Sequence, residues 1–193
     1  MKRRIPSLWL IVMMISIGVI SRFMPHWHNF TAVGAMGIFG AAYLDKKIWG
    51  YLSVLIILFS SDLLLNNLVY GHYFDHFVLF NQNSIWVYSG FLVMVLLGHI
   101  LLKKIRISNL LVVSISGSVL FFLLTNFGVW AQGVLYPKTW AGLMLSYASG
   151  LPYFLNTLIS NVMYCCLFFG LYEFYTKGSI KSLFQFILIG RDS

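Results

Sequence analysis

KKIWGYLSVLIILFSSDLLLNN, residues 46–67, opens with two lysines, runs apolar for more than a dozen residues, and then admits a single carboxylate, Asp62. At 1.5 Å per helical residue, Asp62 lies ~21 Å beyond Ile48. An apolar helix begun by cations and long enough to cross ~30 Å of hydrocarbon is a membrane span. The two lysines mark its cytoplasmic end by the positive-inside rule, which places Asp62 in the outer half of the bilayer.

The same alternation extends in both directions. The chain holds 13 Lys and Arg residues. Apart from Arg22 and Lys138, they fall into four groups, namely Lys2, Arg3 and Arg4; Lys46 and Lys47; Lys103, Lys104 and Arg106; and Lys177, Lys181 and Arg191. Between them lie apolar stretches at 5–24, 30–44, 48–66, 85–102, 107–127 and 153–175. The expected fold is therefore an all-α integral membrane protein, a single transmembrane domain over 1–193, with six transmembrane helices and both termini cytoplasmic. With 60% apolar and 9% charged residues, a soluble globule would have too little polar surface to cover itself.

The second stretch, at about fifteen residues, is short for a span, so it stands upright, starts deep in the membrane, or continues from an unwound segment. The first reads as a retained helix, because no small-residue cleavage site ends it. The tail 178–190 is too short to cross and is expected at the membrane interface or against a partner. A net charge of +8 spread in juxtamembrane runs of two or three residues points to lipid headgroups and away from nucleic acid. Cys165 and Cys166 are adjacent on one helix, which excludes a disulfide framework and leaves them as small apolar groups.

The cytoplasmic connections are short, whereas those on the outside are long and aromatic, at 22–30, 66–84 and 128–152. Loops held on a rigid bundle are where binding residues collect. Trp27, Tyr70, Tyr73, Trp86, Trp130, Tyr136 and Trp140 read either as ligand-cavity walls or as an interfacial aromatic belt. His26 with His28, and His72 with His76, have spacings that suit metal ligation, with Asp75 able to add an oxygen; interfacial histidines are the plainer reading.

A carboxylate within hydrocarbon is costly and has to face protein or water. Asp62, with Asn66 one turn above it, is thus a ligand-binding or gating group, or else a buried carboxylate held by Asn126, Arg22 or a helix end. Asn126, Gln132, Asn156 and Asn161 form a similar polar set, and Glu173 is expected in a solvated pairing near Lys177. Gly34, Gly37 and Gly40 suit close packing against a sibling helix or another subunit. No Walker lysine, serine elbow or HExxH motif is present, so the chain is not read as an enzyme and any ATP hydrolysis would come from elsewhere.

SRFMPHWHNFTAVGAMGIFGAAYL (21–44), SSDLLLNNLVYGHYF (60–74), LTNFGVW (124–130) and YPKTWAGLMLSYASGLPYFLNTLISNVMY (136–164) together resemble a bacterial six-helix membrane-protein family that looks like the substrate-binding S components of energy-coupling-factor (ECF) vitamin transporters. The resemblance implies an S-component-like bundle in the bacterial inner membrane that captures a vitamin-like small molecule for uptake, a corrinoid such as cobalamin being the first guess. It also implies a transmembrane coupling subunit and ATPase subunits as partners. The matching positions are Asn29, Phe30 and Thr31; Asp62, Tyr70 and Tyr73; and Asn126, Trp130, Tyr136 and Asn156. A metal inside the ligand could meet an outer histidine. Two other readings stand beside transport: a scaffold in a cell-envelope complex, and a metal-dependent membrane enzyme.

Overall fold

A helix that is hydrophobic on every side cannot be oriented by its own periodicity; what it packs against is settled by small residues and buried polar groups. The structure, a computed structural model, describes residues 7–23, 27–177 and 191–192. Among these it forms six α-helices: α1 (Ser7–Phe23), α2 (Val33–Tyr43), α3 (Lys47–Leu64), α4 (Ser84–Leu101), α5 (Ile107–Gln132) and α6 (Trp140–Lys177). The expected tail at 178–190 and the residues before Ser7 lie outside the described residues.

Four helical segments are long and apolar enough to cross a bilayer: Lys47–Val69, Ser84–Leu101, Ile107–Gln132 and Trp140–Thr176. Leu8–Phe23 and Val33–Tyr43 are shorter. The outside of the bundle is apolar, with Leu151, Leu155, Ile159, Met163, Leu167 and Leu171 exposed every fourth residue along α6. Its interior combines an apolar core, including Ile38, Ile57, Leu58, Met94 and Phe169, with the buried polar residues Ser53, Ser61, Ser114, Ser118, Ser160 and Asn161. An exterior as apolar as the core, with small and polar residues where helices meet, is the distribution that lipid, not water, selects.

The short helix α2 is the centre of the bundle. It packs against α3, α4 and α6 and touches α1 and α5, and every residue from Val33 to Gly40 is buried. The glycine stripe makes this possible. A Cβ at Gly37 would stand 2.9 Å from Val95 on α4 and 3.1 Å from Val54 on α3, and one at Gly34 would collide with Asn161 on α6. The glycines thus meet sibling helices. At 11 residues, ~16 Å, α2 is too short to cross a bilayer, and the non-helical segment 27–32 precedes it.

The third outside connection is corrected. The third connection is not a 25-residue decorated loop: α5 runs on to Gln132 and α6 begins at Trp140, leaving only residues 133–139 between them. Gly133 at φ 69° ends α5 in the left-handed conformation that glycine adopts without strain, and Thr139 Oγ1 accepts from Gly142 N at 3.1 Å to start α6. Pro152 lies inside α6. A proline in a long helix forfeits one backbone bond, and here Ser146 Oγ to Asn126 O at 2.8 Å and Tyr147 OH to Leu123 O at 3.2 Å tie the preceding turns to α5. At 38 residues α6 is ~57 Å long and extends well past a hydrocarbon core.

The second connection opens with helical turns and then runs as turns and bends to α4. After α3 the chain widens into a π-turn over Leu65–Val69, with Tyr70 N bonded to Leu65 O at 2.8 Å, then a 3-10 turn at Gly71–Tyr73. Asn67 pins the returning chain, donating to Val78 O at 2.9 Å and accepting from Val78 N at 2.8 Å.

At the opposite end of the bundle, Lys46, Lys47, Lys103, Lys104 and Arg106 are exposed. There a two-residue strand β1 (Lys104–Ile105) pairs antiparallel with β2 (Arg191–Asp192), so the chain end returns to the cationic side. Glu173 departs from expectation. It is fully buried instead of solvated, accepts from Tyr43 OH at 3.4 Å, and adjoins the packed rings of Phe39, Tyr43, Phe169 and Tyr172. Cys165 is buried and Cys166 exposed on the apolar exterior, both free thiols.

Candidate ligand cavity

Arg22 in the last turn of α1 meets Asp62 near the end of α3. Its Nη1 donates to Asp62 Oδ1 at 2.5 Å, to Ser61 Oγ at 2.6 Å and to Leu58 O at 3.4 Å. The hydroxyl of Tyr88, on α4, donates to Asp62 Oδ2 at 2.8 Å. Both carboxylate oxygens are therefore engaged, with Arg22 and Asp62 side chains 19% and 15% exposed. Of the readings open for Asp62, the geometry gives the buried carboxylate held by Arg22. Tyr88→Phe is expected to cost about 1.5–3 kcal/mol, because it withdraws a hydrogen bond to a charged group. The midpoint of thermal unfolding in detergent would report it; an unchanged midpoint would mean that Tyr88 does not support the pair.

Beside this pair, at the end of the bundle opposite the cationic one, lies a cavity of about 190 Å³. Arg22 forms one wall with Asn29 and Thr31. Val87 and Phe91 of α4 and Phe121 and Thr125 of α5 form another, and Thr157, Ser160 and Asn161 of α6 close it. At the buried Asn161, Nδ2 donates to Ser118 Oγ at 2.9 Å and approaches Met94 Sδ at 3.6 Å. Asn29 adopts φ 63°, a left-handed conformation that asparagine tolerates better than most residues, within a turn closed by Phe30 N to Trp27 O at 2.9 Å.

Of the residues read as ligand-binding from sequence, Asn29 lines the cavity and Asp62 holds the lining Arg22. Asn156 acts at one remove, donating from Nδ2 to His28 O at 3.0 Å and so tying the first loop to α6. The others are not brought there. Asn66 lies in the π-turn, while Tyr70 and Tyr73 are 47% and 73% exposed beyond it. Asn126 bonds its own helix at Phe122 O, 2.8 Å. Trp130 Nε1 donates to Pro137 O at 3.1 Å and Thr139 O at 3.2 Å, closing the α5–α6 turn that also holds Tyr136. These two helices were longer than the apolar pattern suggested, so residues assigned to a loop became helix-end fastenings.

Among the described residues, no three His, Cys, Asp or Glu side chains cluster as metal ligands. The His28 ring meets Tyr153 edge-on at 5.9 Å, and that of His72 lies 4.0 Å from Tyr73. His76 is exposed in the loop, and His26 lies outside the described residues. Sequence reading missed Tyr88, Thr125, Thr157 and Ser160 as members of the site; their common signal, a hydroxyl on an apolar helix, is shared by many residues that merely bond their own backbone.

No curated protein and no solved structure matches the chain. A family model does match, over residues 2–183, nearly its whole length, and the chain belongs to that family, the family of unknown function DUF6580.

Proposed function

We propose that this protein is a membrane-embedded substrate-binding subunit that captures a small molecule in the cavity beside Arg22 for uptake. The observation that carries the reading is a partly open cavity of mixed polar and apolar lining at one end of an otherwise lipid-suited bundle, with a cation held in its wall by Asp62 and Ser61 and the Asp62 carboxylate held in turn by Tyr88. Concave sites with apolar walls and a few placed polar groups are the usual form of small-molecule sites. The proposal includes six membrane-embedded helices in a bacterial inner membrane with the cationic end cytoplasmic, so that the cavity faces outward. As in the S components that the sequence resembles, a separate coupling subunit and ATPases would drive transport. Six helices are few for a self-contained alternating-access carrier.

The volume narrows the ligand. About 190 Å³ is less than the ~300–1,000 Å³ of pockets for drug-sized molecules, which favours a compact ligand over a corrinoid. A scaffold role in a cell-envelope complex would instead call for this space to be filled by side chains. Native mass spectrometry of the gently purified protein tests the choice. A small molecule bound near one per chain is the expected result. An empty protein that retains other membrane proteins would reject substrate capture and favour the scaffold.

A further inference from the structure

The cavity is polarised. All of Arg22's hydrogen bonds to the described residues leave from Nη1, so among those residues the protons on Nε and Nη2 have no acceptor. A planar guanidinium with free donors is suited to a carboxylate, and the bonds to Asp62 and Ser61 already immobilise it. The hydroxyls across the cavity have the opposite character. Thr125 Oγ1 donates to Phe121 O at 2.8 Å, Thr157 Oγ1 to Tyr153 O at 2.9 Å, and Ser160 Oγ to Thr157 O at 3.0 Å. Each has spent its one proton on its own helix and offers only lone pairs to the cavity. Phe91 and Phe121, with ring centroids 4.7 Å apart, line the space between, and ring faces attract a cation.

Net charge then decides what fits. Arg22 and Asp62 neutralise one another, so a bare anion would leave the partly buried site with a net negative charge and a bare cation with a net positive one. Either is costly away from water. A zwitterion leaves it neutral while satisfying both walls.

Resting on the ligand-binding reading above, we propose that the cavity binds a small zwitterion, its carboxylate on the free edge of Arg22 and its ammonium group among Thr125, Thr157 and Ser160.

The test uses the full-length protein in detergent and thermal-shift titrations with three matched series: short α- and ω-amino acids, their carboxamides, which lack the carboxylate, and the corresponding carboxylic acids without the amine. At least one amino acid is expected to raise the unfolding temperature saturably, with its carboxamide and its amine-free acid each at least about tenfold weaker. Thr157→Val, which keeps shape and helix but removes an acceptor, is expected to weaken the amino acid more than the amine-free acid. Equal affinity across the three series would overturn the zwitterion while leaving small-molecule capture standing. So would a co-purifying molecule that is not zwitterionic. No binding in any series, together with an empty protein by native mass spectrometry, would overturn both.

Discussion

Arg22→Ala is expected to be the most damaging single change in the molecule for stability and binding together. Among the described residues it leaves Asp62, in a partly buried site, with Tyr88 as its one remaining side-chain partner, and it removes the cation from the cavity wall. Breaking a fully buried ion pair from one side costs ~3–5 kcal/mol; at the observed exposure about 2–3 kcal/mol is expected. Removing both charges separates the two roles. Arg22→Met combined with Asp62→Leu leaves no uncompensated charge and is expected to recover most of the lost stability, while ligand binding stays lost. Chemical or thermal unfolding in detergent, run beside a binding titration, gives both readings. A double variant as unstable as Arg22→Ala would show that the pair's worth lies in its shape and not in its charge. Full binding by the double variant would remove Arg22 from the site.

Gly34→Val is expected to have an effect of similar size by a different route. A Cβ at Gly34 would collide with Asn161 Oδ1 and stand 2.7 Å from Met94 Sδ, in the buried first turn of α2. Both clashing atoms belong to side chains, so relief means moving Met94 and breaking the bond from Asn161 to Ser118 Oγ inside the packed bundle. Overpacking a close-packed interior typically costs ~1–3 kcal/mol, and a β-branched residue falls at the upper end. Asn161 lines the cavity, so any displacement that relieves the clash also deforms the site. Reduced yield of folded protein and weaker ligand binding are expected together. An unfolding temperature matching the parent would mean that α2 is not wedged as tightly as these contacts imply.

Much of the architecture was legible before any coordinates. The cationic clusters and apolar stretches located all six helices, with the starts of α3, α4 and α5 within a residue of their observed positions. The third loop was misread because Gly133, Pro137, Gly150 and Pro152 all look like punctuation, and only Gly133 and Pro137 fall in the turn. Pro152 lies instead in a helix continued by its fastening to α5. The π-turn at Leu65–Val69 had a related consequence: a wider turn breaks the 3.6-residue register on which the pairing of Asn66 with Asp62 rested, and Asn67 rather than Asn66 took the structural role.

By itself, the sequence determined that the chain is helical and suited to lipid, which end is cationic, and that Asp62 near the far end of α3 requires a partner. Those properties follow from composition, from spacing along one helix and from the cost of an unpaired charge, and each can be evaluated within a single segment. Only the tertiary structure decided that the partner is Arg22, that the shortest helix is the hub, and that residues bearing hydroxyls on α5 and α6 line one cavity with Arg22 of α1. Spacing gives the angle between residues on one helix, but when every helix is apolar all round, the rotation of one against another is set by where glycines allow approach and where buried polar groups meet.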